Sequence, residues 1–339
     1  MAETFVGAGT PWSWPVPLAP TPRDVVATFG GSKLVRFRAG NASKLSAPPL
    51  LVVPSMINRW YVVDLREGAS LVSALVSGGL DVWCLDWGVP EDEDRHLAWD
   101  DVVRRLEHAM GRVRRETSAR RASVLGYCMG GTLAAIATAL SPERVSALVN
   151  LAGPIDFSQG GLLAQLVAPH HFDVDAIAAA GNVAPMQMQS GFWALRPTGQ
   201  IAKWFGLADR GGDPAFREAF DALETWASDN VPFPAAAYVT YIRELYQKNL
   251  LVRGEHAVRG KRVDLAEISC PVLTVVADKD TICPPEAALA LNAKAGSKVK
   301  DVVAVPGGHV GAVVGSKAQK TLYPKVVDWI RRNTCDSKN

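Results

Sequence analysis

Short continuous apolar runs alternate along this chain with longer stretches in which apolar positions recur every three or four residues. The runs at 50–53, 79–86, 123–127, 145–151, 272–277 and 302–305 have the length and β-branched content of strands covered on both faces. Between 99 and 113, Val102, Val103, Leu106, Met110 and Val113 fall at helical spacing, with Asp100 and Asp101 near the start, where carboxylates complement the helix dipole. Strand and helix in this rhythm predict a doubly wound, mostly parallel α/β sheet. Ahead of it, the runs 25–29 and 34–37 around Gly30-Gly31 predict a hairpin at the sheet edge, followed by a Ser/Ala/Pro linker. Residues 11–22, rich in proline and carrying Trp12 and Trp14, predict an extended arm on the surface.

The rhythm breaks between 157 and 264, where helical patterns at 215–226 and 235–250 replace strands. A block of this kind, inserted before the sheet resumes, predicts a helical cap over a site. The expected organisation is therefore an arm at 1–23, a first core part at 24–156, a cap at 157–264 and a second core part at 265–339. Gly206, residues 210–213 and the prolines around Phe233 are the candidate hinges of the cap. Most of the cap aromatics, Tyr241 and Tyr246 among them, are expected to form its core, and His170-His171 lacks ligand partners at metal spacing.

The candidate chemistry sits where the run 123–127 turns into a helix-forming segment, at Gly126-Tyr127-Cys128-Met129-Gly130. A nucleophile held on a tight strand-to-helix turn needs small neighbours two residues away on either side, and the two glycines supply them. The helix that begins just beyond aims N–H groups and the positive end of its dipole at the Cys128 sulfur, which favours thiolate. Downstream, Asp280 and His309 each follow a predicted strand. Cys128, Asp280, His309 is the nucleophile, acid, histidine order of α/β-hydrolase sites, so an α/β-hydrolase fold with an inserted cap is the expected architecture. Asp156, at the end of the preceding strand, is the competing acid, and Asp280 is favoured. The backbone N–H of Met129 would give one oxyanion donor, and that of Met56 or Ile57, in the loop after the run 50–53, the other.

Composition narrows the partners. Lys and Arg total 36 against 34 for Asp and Glu, a net +2 too balanced to act as a footprint for nucleic acid. Five cysteines, Cys84, Cys128, Cys270, Cys283 and Cys335, without C-x-x-C spacing, suit reduced thiols in a cytoplasm. No apolar run approaches the roughly 18 residues that span a membrane, and the first residues lack the basic start of a secretion signal. The basic residues of 104–121 are read as a solvated helix face.

The segments 54–65, 85–90, 126–132, 277–280 and 307–311 together resemble those of polyhydroxyalkanoate synthases, over nearly the whole chain after about residue 24. Thr281 departs from the pattern, since many synthases carry histidine there. The resemblance implies that Cys128 carries the acyl group, His309 is the base and Asp280 the acid. It implies (R)-3-hydroxyacyl-coenzyme A and a growing polyester chain as substrates, with no bound cofactor or metal. The length is similar to that of synthases that work with a small second subunit; a homo-oligomer at the surface of cytoplasmic polymer granules is expected. Two alternatives are a dienelactone-hydrolase-like enzyme acting on small esters or lactones, against which length and cap weigh, and a catalytically silent granule protein, which would have no need of the intact triad.

Overall fold

The computed structural model describes residues 16–38, 48–195 and 199–334. Residues 1–15 of the predicted arm, the linker at 39–47 and Cys335 lie outside the described residues. The hairpin forms as β1 (Arg23–Phe29) and β2 (Ser32–Phe37), paired antiparallel. Then come β3 (Leu50–Val53), β4 (Val82–Asp86), β5 (Ala122–Tyr127), β6 (Val145–Leu151), β7 (Val272–Ala277) and β8 (Lys300–Val305). They make one eight-stranded sheet in the order β1-β2-β4-β3-β5-β6-β7-β8. β2 meets β4 antiparallel and every later pairing is parallel.

Alternate residues of a strand face opposite ways, and β3 illustrates the consequence for the layers. Leu51 and Val53 join a core with Val102, Leu106, Leu133 and Ile136, from the helices α2 (Trp99–Thr117) and α3 (Met129–Leu140). Leu50 and Val52 join a second core with Leu71 and Leu75, from the helix α1 (Leu71–Ser77), and with Val326 and Ile330, from the helix Tyr323–Thr334. Each such side chain contributes roughly 1.5–3 kcal/mol when fully buried. The sheet is therefore covered on both faces and α3, wholly buried, runs behind its centre. All five apolar positions expected to face inward on α2 are buried, and the Asp101 carboxylate accepts the Ala98 N–H at 3.0 Å to cap its first turn.

The described end of the arm is docked rather than riding free. Val16 and Leu18 pack on the second core, and buried Asp64 accepts the Thr21 hydroxyl at 2.7 Å, the Thr21 amide at 3.1 Å and the Ser70 hydroxyl at 2.6 Å. Proline leaves few backbone donors for a sheet, so side-chain bonds fix the segment together with single backbone bonds such as that from the Ala19 N–H to the Leu65 carbonyl at 3.3 Å.

Between β6 and β7 the chain forms helices, with short strand pairing at Ala257–Val258 and Lys261–Arg262. The helical pattern at 235–250 is not one α-helix. Ala235–Thr240 is α-helical, and Tyr241–Gln247 widens into a π-helix, whose larger turn sets the rings of Tyr241 and Tyr246 5.4 Å apart. Gly206 lies inside the helix Gly199–Arg210 and is not a loop hinge, whereas Gly211 and Gly212 form the turn before the helix Pro214–Ser228. No helix among the described residues is long and apolar enough to cross a membrane.

Candidate active site

Cys128 sits between β5 and α3 with φ 56° and ψ −131°, a positive-φ conformation that side chains rarely adopt. The tightness of the turn explains its glycines. A Cβ on Gly130 would lie 1.9 Å from the Val53 carbonyl oxygen, and one on Gly126 would lie 2.2 Å from that of Gly130. The Cys128 N–H donates to the Leu151 carbonyl at 3.0 Å and its own carbonyl accepts from Gly131 at 2.8 Å, which hold the strained residue in place. Its thiol, half-buried, stands at the N-terminus of α3.

His309 and Asp280 meet across loops that follow β8 and β7. Both side chains are buried, and His309 Nδ1 lies 2.7 Å from Asp280 Oδ2. The other oxygen, Oδ1, accepts the N–H groups of Ile282 and Cys283, each at 2.9 Å, so the carboxylate is fixed before it orients the ring. Tyr127 stacks on the imidazole, 5.3 Å between centroids at 24°, and its hydroxyl donates to the His309 carbonyl at 3.3 Å. Asp156 is engaged elsewhere: Oδ1 accepts the Ser158 amide and hydroxyl at 3.1 and 2.6 Å and Asn249 Nδ2 at 2.8 Å, tying the start of the cap to its far end.

The remaining imidazole nitrogen, Nε2, is buried without a full hydrogen bond among the described residues. Burial alone would lower the pKa of His309. The charge of Cys128 opposes this, joined by hydrogen bonding to Asp280 and to Cys128 and by the Asp280 charge, and together they push it from 6.5 up to about 10. Cys128 thus bears on His309 chiefly through its charge. Cys283, three residues after Asp280, is a buried thiol held up in pKa first by burial and then by the charges of Asp280 and Cys128.

Of the two candidate oxyanion amides after β3, the Ile57 N–H points to Ser55 Oγ at 3.5 Å. Those of Met56 and Met129 donate to no protein group among the described residues. The π-helix comes close enough for two of its tyrosines to feel Cys128. The hydroxyls of Tyr241 and Tyr246 are raised in pKa by burial first, with a further push from the charge of Cys128, and Phe157 packs edge-on against Tyr246 at 4.7 Å. Tyr246 also lines a surface cleft of about 400 Å³ with Ser158, Gly161, Ala164 and Gln165. His170 and His171, exposed, touch each other at 4.4 Å, and no cluster among the described residues could hold a metal ion. Two of these partners were hidden in the sequence, Tyr127 in the elbow strand and Tyr246 in the expected cap core: nothing in the spacing of either marks a ring near the site.

Strand order, elbow and loops define an α/β hydrolase, and residues 48–316 match the α/β-hydrolase fold family. Among solved structures, the chain is similar to a soluble variant of monoglyceride lipase from Saccharomyces cerevisiae in complex with a substrate analog, at 15% identity and TM-score 0.58, covering 95% of this chain and 100% of the other. That likeness speaks to the fold alone. Residues 15–75 match the N-terminus of poly-beta-hydroxybutyrate polymerase (PhaC). The chain is 32% identical to the poly(3-hydroxyalkanoate) polymerase subunit PhaC of Allochromatium vinosum, covering 90% of this chain and 87% of that one. It is also 32% identical to the subunit of the same name from Haloferax mediterranei, over 93% of this chain and 64% of that longer relative. The chain belongs to the PhaC family of poly(3-hydroxyalkanoate) polymerases.

Proposed function

We propose that this protein polymerises (R)-3-hydroxyacyl groups from coenzyme A thioesters into polyhydroxyalkanoate, carrying the acyl chain on Cys128. The observation that carries this reading is the constellation itself, a cysteine at the elbow facing a buried His309–Asp280 pair in a member of the PhaC family. Membership favours polymerisation, and the residues supply a mechanism for it.

The charge relationship between Cys128 and His309 sets the order of steps. With Cys128 as thiolate and His309 protonated, the sulfur attacks the thioester carbonyl, and the N–H groups of Met129 and Met56 receive the developing oxyanion. The carbon–sulfur bond to coenzyme A breaks, its electron pair leaves on that sulfur, and the His309 proton neutralises it. Acylation also removes the negative charge that had held the His309 proton. Having given up that proton, the buried imidazole is neutral and able to act as base.

His309 next takes the proton of a 3-hydroxyl as that oxygen attacks the acyl-Cys128 thioester. The ester forms, the Cys128 thiolate departs, and the starting charges return. One thioester is exchanged for another and then for an oxygen ester, a sequence that balances without a redox group or metal. Water competes for the same thioester, so the Tyr241–Gln247 π-helix and the cleft beside Tyr246 are assigned to water exclusion and acyl entry.

Relatives that bear the name subunit motivate the rest of the reading: a small second subunit as partner, self-association, and work at the surface of cytoplasmic granules. The test is to supply (R)-3-hydroxybutyryl-coenzyme A, with and without a co-expressed small subunit, and follow both thiol release and product. Polymer supports the proposal, whereas free 3-hydroxybutyrate as the sole product would make the protein a hydrolase.

A further inference from the structure

The loop that carries Met56 is fastened to the cap at a point remote in sequence. Asn58 and Asn230 form an antiparallel bridge, and the Asn58 side-chain amide donates to Asn230 Oδ1. Asn230 Nδ2 in turn donates to Gln189 Oε1 at 2.7 Å and to the Ala227 carbonyl at 3.0 Å, so the acceptor is held from two sides of the cap. Close by, the Trp226 indole donates to the Arg59 carbonyl at 2.9 Å, and the Tyr61 hydroxyl donates to Asp229 at 2.7 Å. These bonds grip the segment 58–61 from a single stretch of cap, 226–230.

An oxyanion donor acts only when it already points at the developing charge, and displacement by about 1 Å can cost roughly 100-fold in rate. Met56 stands two residues before Asn58, in a turn whose own side-chain tie is the 3.5 Å contact from Ile57 to Ser55. The clamp therefore restrains the backbone on the C-terminal side of that amide, as the Trp87 indole, donating to the Pro54 carbonyl at 2.9 Å, does on the N-terminal side. We infer that Asn230, supported by Trp226, is a positioning residue that holds the Met56 N–H toward Cys128, so the oxyanion site is complete only while the cap is seated. The inference rests on the proposed acyl chemistry at Cys128 but not on the identity of the acyl donor.

The experiment compares two reactions at Cys128 in the full chain. Acylation by p-nitrophenyl acetate forms a carbon–sulfur bond through a tetrahedral oxyanion and expels p-nitrophenolate. Alkylation by iodoacetamide is a displacement with no oxyanion. In Asn230→Ala the acylation rate should fall roughly 10- to 100-fold at saturating ester with little change in KM, while alkylation keeps its parent rate. Asn230→Asp, which keeps the acceptor for Asn58, should recover part of the loss, and Trp226→Phe should show the same selective defect.

Equal loss of acylation and alkylation would mean general damage to the site and would overturn the inference, as would unchanged acylation or a parent protein that the ester does not acylate. A parent that reacts with the ester but makes no polymer from (R)-3-hydroxybutyryl-coenzyme A sinks the proposed function and leaves the clamp standing.

Discussion

His309 Nδ1 lies 2.7 Å from Asp280 Oδ2 with both side chains buried, a pairing made by residues beyond the ends of two adjacent parallel strands. Asp280 is itself fixed by two backbone N–H groups, so the bond sets both the tautomer and the tilt of the ring that faces Cys128. Asp280→Asn would keep the size of the side chain but invite the wrong tautomer. Turnover should fall by roughly 100-fold or more, as for other orienting carboxylates. Asp156→Asn should leave turnover near the parent value and register instead as a lower Tm, since its partners are Ser158 and Asn249. The reverse ranking would move the acid.

The ionisation of His309 is tied to that of Cys128, and this gives a pH test with a definite sign. With its pKa raised from 6.5 to about 10, His309 binds its proton more tightly in the folded state. Its contribution to stability is complete below pH 6.5, declines above it, and is lost once the pH has risen through about 10. Removing the Cys128 side chain takes away a charge that opposes the effect of burial, so the ring of His309 in Cys128→Ala should titrate well below its value in the parent. NMR of the imidazole carbons reads this directly. Identical titration in the two proteins would show that Cys128 does not govern the proton.

The elbow tolerates no side chain at its glycines. Gly130→Ala places a carbon 1.9 Å from a strand carbonyl that cannot retreat without moving β3, so Tm should fall by roughly 5 °C or more, if soluble protein forms at all. Gly206→Ala is the matched control. It lies within a helix with nothing inside 4 Å of the new methyl, and should be neutral or slightly stabilising. Thermal melts of the pair decide the point, and equal behaviour would mean that close packing at the elbow is not what the glycines provide.

Much of this architecture is legible in one dimension because its signals are local. β6 and β7 coincide with the runs at 145–151 and 272–277, since a strand buried on both faces is an unbroken apolar word. The elbow glycines are legible for the same reason: Gly126 and Gly130 answer to a turn whose residues are neighbours. The π-helix at Tyr241–Gln247 is not, because its side-chain pattern over so few residues resembles that of the α-helix it extends. Nor is the docking of Thr21 on Asp64, nor the bridge from Asn58 to Asn230, where the partners are short polar side chains common in any loop. The preference for Met56 over Ile57 turns on a single contact to Ser55, which no spacing rule anticipates.

The central claim is that the acyl chain rides on Cys128. The most direct measurement is to mix the protein with (R)-3-hydroxybutyryl-coenzyme A, quench in acid within the first turnovers, and map the added mass by peptide mass spectrometry. The expected result is a hydroxybutyryl or oligomeric adduct on the peptide containing Cys128, released by hydroxylamine as a thioester should be. Cys128→Ala should carry no adduct, and Cys128→Ser should hold an oxygen ester that turns over slowly. An adduct on Cys283, or polymer formed at the parent rate by Cys128→Ala, would contradict the claim.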